Sequence, residues 1–290
     1  MDTPQNPSLL ASDMKVADLH LHTRYSDGTY TPEELAGHAA AVGLDAVALT
    51  DHDTVAGCAP MAAACAGRGL EFIPGSELTA DLEGREFHVL GYWLDAGSAL
   101  LQARLAEFQA ARIQRIHDMV DRLNHRGIGL TADAVLAVAN CGSPGRPHVA
   151  RALVEGGHCR NYDDAFERFL KKGRPAWVPK VALTMAETIQ LIHAAGGAAV
   201  LAHPGLYRSD PMIPGIAALG LDGLECWHTR HSATASESYA RTAARLGLVA
   251  TGGSDCHGMA KGEPLIGRIR LPYAQVTALK ARRPVAAAAA

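Results

Sequence analysis

The chain has 290 residues, 48% of them apolar and 5% aromatic, with a net charge of −3. That length supports one large α/β domain, and the near-neutral charge with few aromatics argues against a nucleic-acid coat protein or a base-stacking platform. The six cysteines (Cys58, Cys65, Cys141, Cys159, Cys226, Cys256) include no CxxC pair, and no apolar run is long enough to span a membrane, so a reduced cytoplasmic enzyme is expected. Residues 1–14 lack the basic-then-apolar order of a signal peptide and read as a disordered tail, and the closing Ala286–Ala290 run reads as frayed.

A strand candidate over 16–21 carries His20. His22 follows two residues later, so both imidazoles face one side. Asp27 lies in a Ser26-Asp27-Gly28 turn. Thr31-Pro32-Glu33-Glu34 opens a helix over 33–42, with Thr31 as N-cap and Pro32 at the first position. A second strand, 46–50, ends in Asp51-His52-Asp53. Asp51 reads as support for a ligand histidine and Asp53 as the cap of a helix over 54–66. Strand 71–73 runs into Pro74-Gly75-Ser76-Glu77, and strand 86–92 carries His88. The β–α rhythm predicts a parallel sheet.

The rhythm then stops. Apolar spacing predicts a long amphipathic helix over 98–126, followed by helices over 131–139, 147–155 and 161–171. Residues 97–180 therefore read as a helical insertion, carrying 13 Lys/Arg against 8 Asp/Glu. A positive lid over a more acidic body suits an anionic substrate, although solvated helix faces account for most of these arginines. The rhythm resumes with a helix over 184–194 and a strand over 198–202 that ends at His203. Strand 223–226 ends at Trp227-His228. Helix 233–246 leads to strand 248–251, which ends in Gly252-Gly253-Ser254-Asp255-Cys256-His257. Seven strands outside the insertion, most with polar groups at their C-terminal ends, predict a distorted or incomplete β/α barrel formed by 15–96 and 181–285.

Nine residues gather at those ends: His20, His22, Asp27, His52, Glu77, His88, His203, Asp255 and His257. Six imidazoles and three carboxylates exceed the needs of one ion and suffice for two or three. The donor mixture suits Mn, Fe or Zn better than Ca or Mg. Cys256 lies between two of the candidates on extended chain, so its side chain points away from them.

The blocks Asp18-Leu19-His20-Leu21-His22 through Ser26-Asp27-Gly28, Leu49-Thr50-Asp51-His52-Asp53, Val200-Leu201-Ala202-His203-Pro204-Gly205 and Gly252-Gly253-Ser254-Asp255-Cys256-His257 together resemble the PHP (polymerase and histidinol phosphatase) family of metal-dependent phosphoesterases. The resemblance covers roughly 15–95 and 180–270 and is closest to nucleoside 3′,5′-bisphosphate phosphatases and RNA 5′-end nucleases. It implies a distorted (β/α)7 TIM-like barrel and three divalent ions, with manganese the first expectation. His20, His22, Glu77 and Asp255 would hold one ion. Glu77, His88 and His203 would hold the second, and Asp27, His52 and His257 the third.

The implied reaction is phosphate-ester hydrolysis by a metal-bridging hydroxide: removal of the 3′-phosphate from a nucleoside 3′,5′-bisphosphate, with trimming of short RNA 5′ ends as a further activity. The expected partners are a small phosphorylated nucleotide or RNA end, with no stable nucleic-acid complex, membrane or obligate protein partner. Arg146 and His148, in a Gly/Pro-stiffened loop before a helix, are candidate phosphate donors. Lys172, Arg174 and Lys180 form a second basic group. His228 is a candidate general acid or phosphate donor. Histidinol phosphate is the alternative substrate within the family. An amidohydrolase-type hydrolase and a non-catalytic metal-stabilised module are the readings outside that substrate range.

Overall fold

In a computed structural model, residues 14–260 and 262–284 are described. The N-terminal tail, Met14 apart, and the terminal alanine run lie outside those residues. The strands are β1 Val16–Asp18, β2 Ala46–Leu49, β3 Glu71–Leu82, β4 Arg85–Tyr92, β5 Leu183–Thr184, β6 Ala198–Leu201, β7 Gly223–His228, β8 Val249–Gly253 and β9 Leu271–Pro272. They pair in the order β8-β7-β6-β4-β3-β2-β1-β9, with β5 added to β3. A parallel bridge between Leu21 and Cys256 brings the two sides of this sheet together. The Leu19 N–H donates to Gly252 O at 3.3 Å beside it. The expected barrel is therefore present, with β1–β4 and β6–β8 as its staves.

The sheet is not wholly parallel, which corrects the expectation drawn from the β–α rhythm. β4 pairs antiparallel with both β3 and β6. The cause is local. Only Glu83 and Gly84 join β3 to β4, both at positive φ (55° and 72°), and a two-residue turn of this kind can link only antiparallel strands. β3 also continues through Pro74-Gly75 to Leu82, beyond the end expected at residue 73. A Cβ on Gly75 would meet Gly91 O at 2.5 Å, so its bare backbone is what lets β4 pair alongside.

The helices are α1 Pro32–Ala41, α2 Cys58–Ala66, α3 Ala99–Asn124, α4 Ala132–Ala139, α5 Arg146–Glu155, α6 Tyr162–Ala165, α7 Met185–Ala194, α8 Ile213–Ala217, α9 Ala233–Leu246 and α10 Tyr273–Lys280. A π-helical turn, Phe166–Leu170, extends α6. Thr31 caps α1 as its sequence predicts: its Oγ1 accepts the Glu34 N–H and the Glu34 carboxylate accepts the Thr31 N–H. α2 starts later than expected, with Gly57 as N-cap, so Asp53 has another role.

Ala17, Leu19, Ile73, Leu90, Tyr92 and Val200 fill the barrel interior. α3 spans two cores: Leu101, Leu105 and Phe108 pack with the barrel's outer layer, while Ile116, Met119 and Leu123 pack with Val149, Leu153 and Phe169 of the following helices. Among the described residues no helix is long and apolar enough to cross a membrane.

Candidate metal centre

His20 and His22 leave β1 fully buried, while Leu21 between them turns into the apolar layer with Leu35 and Cys256. Asp51 does not reach the His52 ring as expected. Its Oδ1 accepts the Thr23 N–H at 2.8 Å and the Ser26 hydroxyl at 2.6 Å, and its Oδ2 accepts the Thr23 hydroxyl at 2.6 Å. Asp51 thus shapes the loop that presents Asp27. Asp53 adopts φ +49° and accepts the Arg112 Nε–H at 2.7 Å and the Thr79 N–H at 3.2 Å. It joins α3 to the turn bearing His52. The Ser143 hydroxyl also donates to His52 O.

Glu77 is the hub, projecting from within β3 rather than from a strand end. Its Oε1 lies 2.6 Å from His88 Nδ1 and 2.9 Å from His203 Nε2. Its Oε2 lies 3.3 Å from both His20 Nε2 and His22 Nε2, and 3.1 Å from His52 Nδ1. Asp255 Oδ1 is 3.3 Å from His22 Nε2 and 3.4 Å from His257 Nδ1. Asp27 Oδ1 is 3.2 Å from His257 Nε2, and its Oδ2 is 3.8 Å from His52 Nε2. All nine candidates converge. Their donor atoms form overlapping clusters, each within 4.8 Å: His22, Asp27, His52 and His257; His20, His22 and Asp255; His20, Glu77 and His203; His52, Glu77 and His88.

These residues fit a cation site on their own chemistry. Both ring nitrogens of His22, and Nδ1 of His52 and of His203, are buried without a hydrogen-bond partner among the described residues. Orphaned buried imidazoles are costly unless something draws on their lone pairs. Burial opposes charge on Glu77, yet His52, His88 and His20 bring its carboxyl well below the usual range. Burial likewise opposes charge on Asp27, which His257 and His52 bring well below its ordinary value. Burial lowers His20, but Glu225, Glu77 and Asp255 raise it well above the ordinary histidine value. The carboxylates draw positive charge into the cluster, and a bound cation supplies it without protonating the ligands.

A cleft of about 800 Å³ opens over the cluster. Asp27, His52, Glu77, His88, His203, Asp255 and His257 line it on the barrel side, and Arg112, Arg115, Arg146, Lys180 and Arg230 also line it. Arg115 is 4% exposed, donates through Nε to Val178 O at 2.8 Å and has Nη2 unpartnered among the described residues. Burial and the neighbouring Arg146 pull its guanidinium below its ordinary value. Lys180 Nζ lies 2.9 Å from Glu86 Oε1 and 3.1 Å from His88 Nε2.

The other basic candidates lie elsewhere. Lys172 extends over the Trp177 ring and Arg174 lies 3.8 Å from Glu167, and neither lines the cleft, whereas the adjacent Lys171 does. His148 is buried and its Nδ1 accepts the Gly145 N–H at 3.0 Å, which closes the start of α5 and leaves the ring off the cleft wall. His228 is also buried. Its Nδ1 accepts the Arg230 N–H at 3.1 Å, which leaves the ring proton on Nε2, 3.5 Å from Asp255 Oδ2. Nε2 has no hydrogen-bond partner among the described residues, and His228 does not line the cleft.

The model of the PHP domain matches residues 18–172. A 3′,5′-nucleoside bisphosphate phosphatase from Chromobacterium violaceum is 35% identical, over 84% of this chain and 88% of that protein. The chain belongs to the PHP family. A 5′-3′ exoribonuclease from Haemophilus influenzae is 36% identical, over 84% of this chain and 90% of its own length. A solved structure from Bifidobacterium adolescentis, described as a metal-dependent phosphoesterase, superposes with a TM-score of 0.86 at 35% identity, covering 93% of this chain and 97% of that one. The protein is a metal-dependent phosphoesterase of the PHP family, on the barrel its sequence predicts.

The sequence reading of this PHP chain missed Glu225, Arg112, Arg115 and Arg230. Three of these left a signal. Arg112 and Arg115 continue the buried stripe Leu101, Leu105, Phe108 on α3, where a solvated arginine does not belong. Glu225 interrupts an apolar strand, Gly223–Trp227, in the same way.

Proposed function

We propose that the chain removes the 3′-phosphate from nucleoside 3′,5′-bisphosphates, and that the same centre trims short RNA 5′ ends. Three divalent cations serve it, manganese first, with iron or zinc accepted by the same donors. His20, His22, Glu77 and Asp255 hold one, Glu77, His88 and His203 a second, and Asp27, His52 and His257 the third. Cations held there supply the positive charge that phosphoryl transfer demands and acidify attacking water towards neutral pH. Residues 97–180 serve as an insertion that closes the substrate cleft.

The observation that carries the substrate assignment is Arg115. Arg115 lines the same cleft as the carboxylate–imidazole cluster, as does Arg146, and its buried Nη2 has no hydrogen-bond partner among the described residues. A single scissile phosphate is served by the cluster itself. Cations held apart from it, in a wall where they repel one another, match a second phosphate on the substrate. Arg146 is half-buried and donates to Leu170 O at 3.3 Å, so its guanidinium is already oriented. Arg230 completes the wall, while Lys180 stands at the cluster's edge, 3.1 Å from His88 Nε2. The names of the two relatives, a bisphosphate phosphatase and an exoribonuclease, support a substrate with more than one phosphate.

The test is phosphate release, with Mn²⁺, from nucleoside 3′,5′-bisphosphates, 3′- and 5′-mononucleotides, short oligoribonucleotides and histidinol phosphate. Bisphosphates should lead, and Arg115→Gln should raise their KM about 10–100-fold while sparing 3′-mononucleotides, the loss expected for one hydrogen bond to a charged group. Release from histidinol phosphate alone would overturn the assignment.

A further inference from the structure

β7 crosses the barrel wall with alternating faces. Leu224 and Cys226 join the outer apolar layer, and Glu225 points the other way, wholly shielded from solvent. A carboxylate at such a position loses its hydration, and an apolar side chain would pack there without that cost. Glu225 has two partners. Its Oε1 accepts from His20 Nδ1 at 2.9 Å, and its Oε2 accepts the His203 backbone N–H at 2.6 Å.

The first contact decides a tautomer. A carboxylate only accepts, so once a cation takes Nε2 the one remaining ring proton of His20 sits on Nδ1, where Glu225 at 2.9 Å is the nearest of its carboxylate partners. That Nε2 lies 3.3 Å from Glu77 Oε2 and 3.5 Å from Asp255 Oδ1. The second contact holds a backbone. His203 adopts φ +27°, a torsion that non-glycine residues rarely take unless the surroundings hold them there. In that conformation its Nε2 lies 2.9 Å from Glu77 Oε1. One buried carboxylate thus aims two imidazoles, from two different strands, at the two oxygens of Glu77.

We propose that Glu225 is a positioning residue of the metal centre: it fixes His20 as the Nδ1–H tautomer and holds the His203 backbone, so that both Nε2 atoms face cations shared through Glu77. The inference rests on the metal-centre reading above. It also specifies how the isosteric variant fails. In Glu225→Gln the amide oxygen can accept the His203 N–H, but the NH₂ then faces His20 Nδ1. That donor forces the His20 proton onto Nε2, where it blocks the metal. Glu225→Leu removes both contacts while filling the interior, so it separates folding from positioning.

The experiment uses the full chain stripped with chelator. Mn²⁺ is titrated by calorimetry, unfolding is followed in urea without metal, and the histidine tautomers are read by ¹⁵N NMR. In the wild type reloaded with diamagnetic Zn²⁺, His20 should be protonated at Nδ1 alone. Glu225→Gln should move that proton to Nε2 and weaken the affected Mn²⁺ sites about 10–100-fold, the effect typical of lost support behind a ligand histidine. Glu225→Leu should weaken Mn²⁺ binding as much while unfolding at an equal or higher urea concentration. Wild-type Mn²⁺ affinity in either variant would overturn the proposal, as would losses that only track a fall in the urea midpoint. A wild-type chain that takes up no Mn²⁺ would remove the metal-centre reading itself, a different failure from that of Glu225.

Discussion

A Cβ built on Gly253 would lie 2.3 Å from His20 Cβ and 2.4 Å from His20 N. No side chain fits there without displacing the end of β1. Gly253→Ala should therefore push His20 away from Glu77, destabilise the fold by about 1–3 kcal/mol as overpacking does, and lower the Mn²⁺ stoichiometry measured by plasma mass spectrometry. An alanine variant that keeps the full metal complement would show that His20 tolerates the shift. At this scale the sequence is legible in one respect and silent in another. Metal ligands disclose themselves because imidazoles and carboxylates at strand ends have few other uses. The groups that aim them disclose less, since Gly253 and the interruption at Glu225 acquire their meaning only when the closed barrel brings both against His20. Lys172 and Arg174 show the converse: basic residues near a phosphate site in sequence can still face away from it.

Between elements, the contact that matters most joins α3 to the turn after β2. Arg112 and Asp53 are 6% and 3% exposed, and Arg112 also donates to Pro144 O at 3.2 Å. One arginine therefore ties together the turn bearing His52, the long helix and the loop before Arg146. Removing one partner of such a pair leaves the other buried and uncompensated, so Asp53→Ala should cost about 3–5 kcal/mol in urea denaturation. The double variant Asp53→Ala/Arg112→Leu should recover part of that loss, and strict additivity of the two single changes would show that the pair does not couple. The long helix was readable from apolar spacing. The reversal of β4 was not, because the third strand reads as 71–73, whereas β3 runs on to Leu82 and leaves only a two-residue turn before β4. That turn is also why Glu77 and His88, eleven positions apart, meet at 2.6 Å.

For the molecule as a whole, the proposed metal centre would be a stability device as well as a reaction centre. Its orphaned imidazoles and crowded carboxylates lie where several barrel strands meet, so a cation bound only by the folded state stabilises all of them together. Chelation should lower the melting temperature, and Mn²⁺ at 100 times its dissociation constant should restore about 2.7 kcal/mol for a single site, measured by calorimetry. An unchanged melting temperature would mean that the cluster is already satisfied without ions. The barrel closes where Asp18 Oδ1 accepts the Ser254 N–H at 2.8 Å, between residues 236 positions apart. During synthesis Asp18 emerges on the order of tens of seconds before Ser254 at ordinary translation rates. Throughout that interval the first strand has no closing neighbour, and His20 and His22 have no Asp255 or His257 beside them. The order of translation itself thus keeps this cluster of imidazoles and carboxylates from assembling until the chain has been made as far as His257.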